Sequence, residues 1–81
     1  MSAEIVVGMR IKAKGPTGWI GTVVSIAGPP KGYRLKMMPR YADDQGETVW
    51  IDWHNNILAN AGEPTAYGYP MSTVEKLEVV G

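Results

Sequence analysis

The fold is decided by the stretch Val7-Gly8-Met9-Arg10-Ile11-Lys12-Ala13-Lys14-Gly15-Pro16-Thr17-Gly18-Trp19-Ile20-Gly21-Thr22-Val23-Val24-Ser25-Ile26. Apolar and basic residues alternate from Met9 to Lys14, and a period of two is typical of a strand with one face on a core. The β-branched residues after Trp19 predict a second strand, and the Gly/Pro segment between the two predicts the connecting loop. Such a pair is typical of the start of a small antiparallel barrel.

The rest of the chain continues this β pattern. Alternating or β-branched segments predict strands at residues 8–14, 19–27, 33–38, 48–53, 57–58 and 76–80. A long loop is expected at residues 60–70, which hold two glycines and two prolines, and a single 3-10 turn at residues 71–74. Gly21 is expected to mark a bend or bulge inside the second strand.

This order of elements predicts an all-β fold: a small SH3-like barrel of five or six antiparallel strands, with residues 1–81 as one domain. The expected core consists of the inward-facing apolar residues Met9, Ile11, Ile20, Val24, Ile26, Leu35, Val49, Ile51, Val74, Leu77 and Val79. Alternation puts Trp50 and Trp53 on opposite strand faces, so one of them is expected to face outward or into a groove.

Composition limits the chemistry that the chain can perform. It has 81 residues, no cysteine and one histidine, which excludes a disulfide framework and a thiolate zinc site, and we expect no cofactor and no metal. Asp52 and His54 share a strand face, but His54 begins a turn, so no catalytic residue is predicted. The first residues lack the pattern of a signal peptide, which predicts a cytoplasmic protein without a membrane partner.

Charge is divided unevenly along the chain. Residues 1–40 hold seven basic residues and one acidic residue, and residues 41–81 hold one basic residue and seven acidic residues. Separate faces of opposite charge would attract a polyanion or a second copy, whereas interleaved strands would mix the charges in space. The candidate nucleic-acid face collects basic residues on strands expected to pair, namely Arg10, Lys12, Lys14, Arg34 and Lys36.

Every aromatic ring in the chain carries a polar atom, since there are three tryptophans, four tyrosines and no phenylalanine. Such rings suit half-exposed grooves, although Trp53 and Tyr33 are also candidates for filling the core. The expected ligand-binding groove contains Trp19, Trp50, Tyr67, Tyr69 and Pro70. Its candidate ligands are a peptide, a flat small molecule or a nucleic-acid base.

Four segments resemble the plasmid-borne type II dihydrofolate reductases: Gly8-Met9-Arg10-Ile11-Lys12-Ala13-Lys14, Trp19-x-Gly21, Pro30-Lys31-Gly32-Tyr33 and Tyr69-Pro70-Met71-Ser72-Thr73-Val74-Glu75-Lys76-Leu77. The resemblance implies an SH3-like barrel that assembles as a homotetramer around a central pore and reduces dihydrofolate with NADPH. The family's pore run Val-Gln-Ile-Tyr corresponds here to Ala66-Tyr67-Gly68-Tyr69, and its pore lysine falls at Ala13. We therefore expect a small non-catalytic binding module, with a divergent reductase of this family as the alternative.

Self-association is also expected. A short chain without a disulfide or a metal gains stability when it buries a further surface against a second copy. A dimer is the first expectation and a tetramer the second, with the edge of the strand at 48–53 and residues 60–70 as the contacts.

Overall fold

The structure, a computed structural model, describes residues 4–14, 18–54 and 64–80. Its strands are β1 (Arg10–Lys12), β2 (Ile20–Ile26), β3 (Arg34–Met37), β4 (Thr48–Trp53), β5 (Thr65–Pro70) and β6 (Glu78–Val79), and the helix α1 (Met71–Val74) precedes β6. The predicted β character is confirmed, and the turn predicted as 3-10 is one turn of α-helix at the same residues. The strand expected at 57–58 lies outside the described residues.

These six strands form one sheet in the order β3-β5-β4-β2-β1-β6. β3 and β6 are its two edges, so the sheet is not closed as the predicted barrel would be. β4 pairs with β2 on one side and β5 on the other. The expectation that the edge of β4 contacts a second copy is therefore wrong, because both edges of β4 are occupied within the chain.

The strand β5 corrects two expectations. The sequence predicts a loop at residues 60–70, but Thr65–Pro70 is a strand between β4 and β3. β3 runs parallel to β5, whereas only antiparallel neighbours are predicted. Gly68 and Pro70 weaken the local strand signal. Packing between the neighbouring strands overrides it, since Ala66 is fully buried and Thr65 is 8% exposed.

The core lies against one face of the sheet and consists of Ile5, Ile11, Val23, Val49, Ile51, Trp53 and Val74. Four of these are predicted core residues, and the predicted Met9, Ile26 and Leu77 pack against them partly buried. Leu35 and Val79 are wrong as core residues, because they are 50% and 40% exposed. Both lie on edge strands, which have a neighbour on one side only and leave their side chains partly in water.

A bulge in β2 decides which of its valines enters the core. The pairing of β2 with β4 shifts between Val23 and Ser25, so Val24 is the extra residue. Val23 is fully buried opposite Ile51, and Val24, which is expected in the core, is only half-buried. The sequence predicts the irregularity at Gly21 instead, where the pairing is regular.

Gly21 is needed for close packing. A Cβ atom on Gly21 would lie 2.7 Å from Ile51 Cγ2 and 2.7 Å from Trp53 Cε3, well inside van der Waals contact. Because Gly21 has no side chain, the Trp53 ring and the Ile51 side chain can lie against the backbone of β2.

We expect Gly21→Ala to lower the free energy of unfolding by about 1–3 kcal/mol, because the added methyl group overpacks the core. Urea unfolding followed by tryptophan fluorescence measures the change. Gly28→Ala is the matched control, since a Cβ atom there has no neighbour within 4 Å, and its expected effect is below about 0.5 kcal/mol. Equal losses in the two variants would contradict the packing role of Gly21.

Candidate functional site

Tyr69 and Trp53 form a hydrogen-bonded aromatic pair on the core face of the sheet. Their ring centroids are 6.1 Å apart with an interplanar angle of 87°, an edge-to-face arrangement. Trp53 Nε1 donates a hydrogen bond of 2.9 Å to the Tyr69 hydroxyl oxygen. The buried indole N–H therefore has a partner, and the Tyr69 hydroxyl keeps its own proton to donate.

The ionisation of Tyr69 follows from these surroundings. Burial raises the pKa of Tyr69 above its ordinary value, because the phenolate would lose hydration. The hydrogen bond from Trp53 lowers the pKa of Tyr69, and charge repulsion from Tyr67 raises it. Burial is the largest of the three effects, so the Tyr69 hydroxyl is a neutral hydrogen-bond donor at physiological pH.

An open cavity of about 300 Å³ lies where β3 meets β5. It is lined by Arg34, Leu35, Lys36, Thr65 and Tyr67, and we name this surface the β3/β5 shelf. The parallel register places Arg34 beside Thr65 and Lys36 beside Tyr67. The Lys36 ammonium nitrogen is 5.8 Å from the centroid of the Tyr67 ring, which is a cation–π distance.

The β3/β5 shelf combines positive charge with apolar surface. Arg34 and Lys36 lie on one face of β3, since alternate residues of a strand share a face. Guanidinium and ammonium groups bind carboxylates and phosphates. Tyr67 is half-buried and lies beside Lys36, so its ring offers apolar contact next to the charges. The arrangement suits an anionic ligand that also has an apolar part.

Trp50 lies on the face of β4 opposite the core. Its chain neighbours Val49 and Ile51 are both core residues, and side chains alternate along a strand. Trp50 is nevertheless only 5% exposed, and its Nε1 has no hydrogen-bond partner among the described residues. Trp53 is 4% exposed. The expectation that one of these two tryptophans faces outward or into a groove is therefore wrong.

The predicted aromatic groove is divided by the sheet. Tyr67 and Tyr69 pack against the core on one face, and Trp50 lies on the other. Trp19 packs half-buried against the core, and Pro70 is buried at the end of β5. The structure therefore brings Tyr67 and Tyr69 together but does not add Trp50 to them.

The predicted basic face is divided between the two ends of the sheet. Its members form two groups: Arg10, Lys12 and Lys14 at β1, and Arg34 and Lys36 on β3. β2, β4 and β5 lie between the groups, so the expectation that these basic strands pair is wrong. Lys12 is opposite Glu78 of β6, which mixes charges from the two halves of the chain.

The other polar side chains make local contacts. His54 Nε2 is 2.7 Å from Thr22 Oγ1, and the carboxylate of Asp44 accepts a hydrogen bond of 2.7 Å from the Tyr41 backbone N–H. Within residues 4–14, 18–54 and 64–80, no three His, Cys, Asp or Glu side chains group as metal ligands do. No helix of this described part is long and apolar enough to cross a membrane.

Comparisons with protein-family models, with curated proteins and with solved structures found no match for this chain.

Two residues of the β3/β5 shelf are not among the predicted site residues, Leu35 and Thr65. The alternation Arg34-Leu35-Lys36-Met37 indicates that Leu35 lies on an edge strand, because charged residues on a short strand are typical of a sheet edge. The sequence contains no such signal for Thr65. Gly68 and Pro70 are uncommon inside strands, so the sequence predicts a loop where Thr65 begins β5.

We expect Trp53→Phe to lower the free energy of unfolding by about 1–3 kcal/mol more than Trp50→Phe does. Both changes remove the same ring atoms, but the first removes the hydrogen bond to Tyr69 and the second removes a buried donor without a partner. Urea unfolding followed by circular dichroism compares the variants. A larger loss in Trp50→Phe would mean that its N–H contributes to stability.

The raised pKa of Tyr69 predicts a loss of stability at alkaline pH. Above about pH 10, the ordinary pKa of tyrosine, the unfolded chain loses the phenol proton while the folded chain keeps it. The contribution of Tyr69 is thus fully present below pH 10 and is lost as pH rises through its folded-state pKa. Urea midpoints measured from pH 8 to 11 should fall less steeply in Tyr69→Phe than in the wild type. Identical slopes would contradict the burial effect.

Proposed function

We propose that this chain is a non-catalytic binding module whose site is the β3/β5 shelf, and that its ligand carries a carboxylate or phosphate beside an apolar group. The observation that carries the proposal is the Lys36 ammonium above the Tyr67 ring at an open cavity. An exposed cation held beside an aromatic ring is placed to pair with an incoming anion. Arg34 adds a second positive charge on the same face.

The residues that lie opposite the basic side chains favour the β3 end of the sheet over the β1 end as the binding site. At the β1 end, Glu78 lies opposite Lys12 and reduces the positive potential. At the β3 end, the residues opposite Arg34 and Lys36 are Thr65 and Tyr67, neither of which carries a carboxylate. The residue opposite Lys36 is thus an aromatic ring, whereas the residue opposite Lys12 is a carboxylate that competes with an incoming anion.

The finer expectations from the sequence stay predictions: an SH3-like relationship, a cytoplasmic location, and a dimer first or a tetramer second. Sedimentation velocity at micromolar concentration tests the oligomeric state.

An absorbance assay with NADPH and dihydrofolate separates the binding module from the alternative reductase. We expect no turnover, and turnover that Tyr69→Phe abolishes would favour the reductase.

The binding proposal is tested with phenyl phosphate, which joins an anion to a ring, and with benzyl alcohol as the neutral control. We expect phenyl phosphate to shift the amide NMR signals of residues 34–38 and 65–69, and benzyl alcohol to leave them unchanged. Lys36→Gln should weaken binding by about tenfold, or about 1.4 kcal/mol. The matched control Lys12→Gln, at the opposite end of the sheet, should bind as the wild type does. Shifts centred on β1, or equal losses in both variants, would overturn the proposal.

A further inference from the structure

The outer edge of β3 has backbone hydrogen-bonding groups that β5 does not use. The Arg34 N–H donates to the Pro64 carbonyl at 2.9 Å, and the Met38 N–H donates to the Gly68 carbonyl at 2.9 Å. In a parallel pair, residues that direct their N–H and C=O toward the neighbour alternate with residues that direct them away. Leu35 and Met37 therefore direct both groups outward, and every residue of β3 is exposed.

The two faces of this edge differ in chemistry. Arg34 and Lys36 lie on one face, and Leu35 and Met37 lie on the other. Leu35 is 50% exposed and Met37 is 61% exposed, so each has apolar surface left to bury. A strand laid beside β3 would meet positive charge on one face and an apolar surface on the other.

A second copy of β3 fits this edge poorly. Antiparallel pairing of two β3 strands about a two-fold axis at residue 36 places the two Lys36 side chains directly opposite each other. Like charges in directly opposite positions are destabilising. Moving the two-fold axis to residue 35 sets Arg34 opposite Lys36, which repeats the repulsion. The charges of β3 thus act against self-pairing and favour a partner of opposite charge.

We propose that the outer edge of β3 binds an extended peptide in which acidic residues alternate with apolar residues. The peptide adds a strand to the sheet through the outward N–H and C=O groups of Leu35 and Met37. Its carboxylates lie beside Arg34 and Lys36, and its apolar side chains cover Leu35 and Met37. This inference rests on the proposed function, because it names the ligand whose anionic groups the β3/β5 shelf receives.

The first probe is acetyl-Glu-Val-Glu-Val-Glu-Val-amide, with the Lys-Val peptide of equal length as its control. NMR titration of the full chain should give shifts centred on residues 34–38 for the Glu-Val peptide only. Lys36→Glu should weaken the Glu-Val peptide by at least about tenfold and allow the Lys-Val peptide to bind. Lys12→Glu, the same reversal at the other end of the sheet, should leave both affinities within about twofold. Lys36 is exposed on an edge strand, so an unchanged amide spectrum outside β3 verifies that the variant is folded.

The second probe tests the backbone hydrogen bonds. In a strand, the N–H groups of all Glu residues point to one side and those of all Val residues to the other. One peptide is N-methylated at its Val residues and another at its Glu residues, which removes donors without changing charge. Strand addition predicts that one of them loses binding by at least about tenfold while the other retains it. Loss in the Val-methylated peptide indicates antiparallel addition, and loss in the Glu-methylated peptide indicates parallel addition.

The outcomes separate this inference from the proposed function. If both methylated peptides bind as the parent peptide does, strand addition is wrong and the β3/β5 shelf binds anions without it. If phenyl phosphate binds but no peptide does, the peptide partner is wrong and the proposed function stands. If neither probe binds, both proposals fail.

Discussion

Two glycines directly opposite two tryptophans let large aromatic rings pack closely against the neighbouring strands on both faces of β4. Gly21 of β2 is paired with Trp53 of β4, and Gly68 of β5 is paired with Trp50 of β4. A Cβ atom on Gly21 would meet the Trp53 ring at 2.7 Å, and one on Gly68 would meet the Trp50 ring at 3.0 Å. Each tryptophan ring can therefore occupy its observed position because the residue opposite it has no side chain.

The two tryptophans differ in the hydrogen bonding of their indole N–H groups. The N–H of Trp53 reaches the Tyr69 hydroxyl, so the core face buries an aromatic pair whose polar atoms are satisfied. In the part of the chain that the structure describes, the N–H of Trp50 has no hydrogen-bond partner, and a buried donor without one costs about 1–3 kcal/mol. Burial of the large ring on Gly68 offsets this cost, since aromatic side chains contribute the most apolar area of any residue. β4 thus stabilises one face of the sheet through a hydrogen-bonded aromatic pair and the other face through burial of the Trp50 ring.

The proposed site lies at the edge of the sheet because the centre of the sheet is filled by packed side chains. β4 uses both of its sides and both of its faces for packing. Among the described strands β3 has a single neighbour, β5, and every side chain of β3 is exposed. Arg34 and Lys36 lie opposite a threonine and a tyrosine, whereas Lys12 at the other end of the sheet lies opposite Glu78. An edge that carries exposed basic residues and exposed apolar surface is where the proposed ligand would bury the most surface on binding.

Features that depend on neighbours along the chain could be predicted from the amino-acid sequence. Alternation in Met9–Lys14 and Thr48–Trp53 predicts β1 and β4, and the core positions of Ile11, Val49 and Ile51 follow from it. The alternation of Arg34 to Met37 likewise predicts that charged and apolar residues lie on opposite faces of β3. These patterns suffice because the direction of a side chain in a strand is set by its backbone alone.

Features that depend on residues far apart in the chain became visible in the folded protein. It turned the Gly- and Pro-containing segment Thr65–Pro70 into a strand, paired it in parallel with β3, and left Leu35 at an exposed edge. The burial of Trp50, the close packing at Gly21 and the separation of the two basic groups also depend on the order of the strands in the sheet. Local sequence does not encode that order, because the residue that lies opposite a given position comes from another strand.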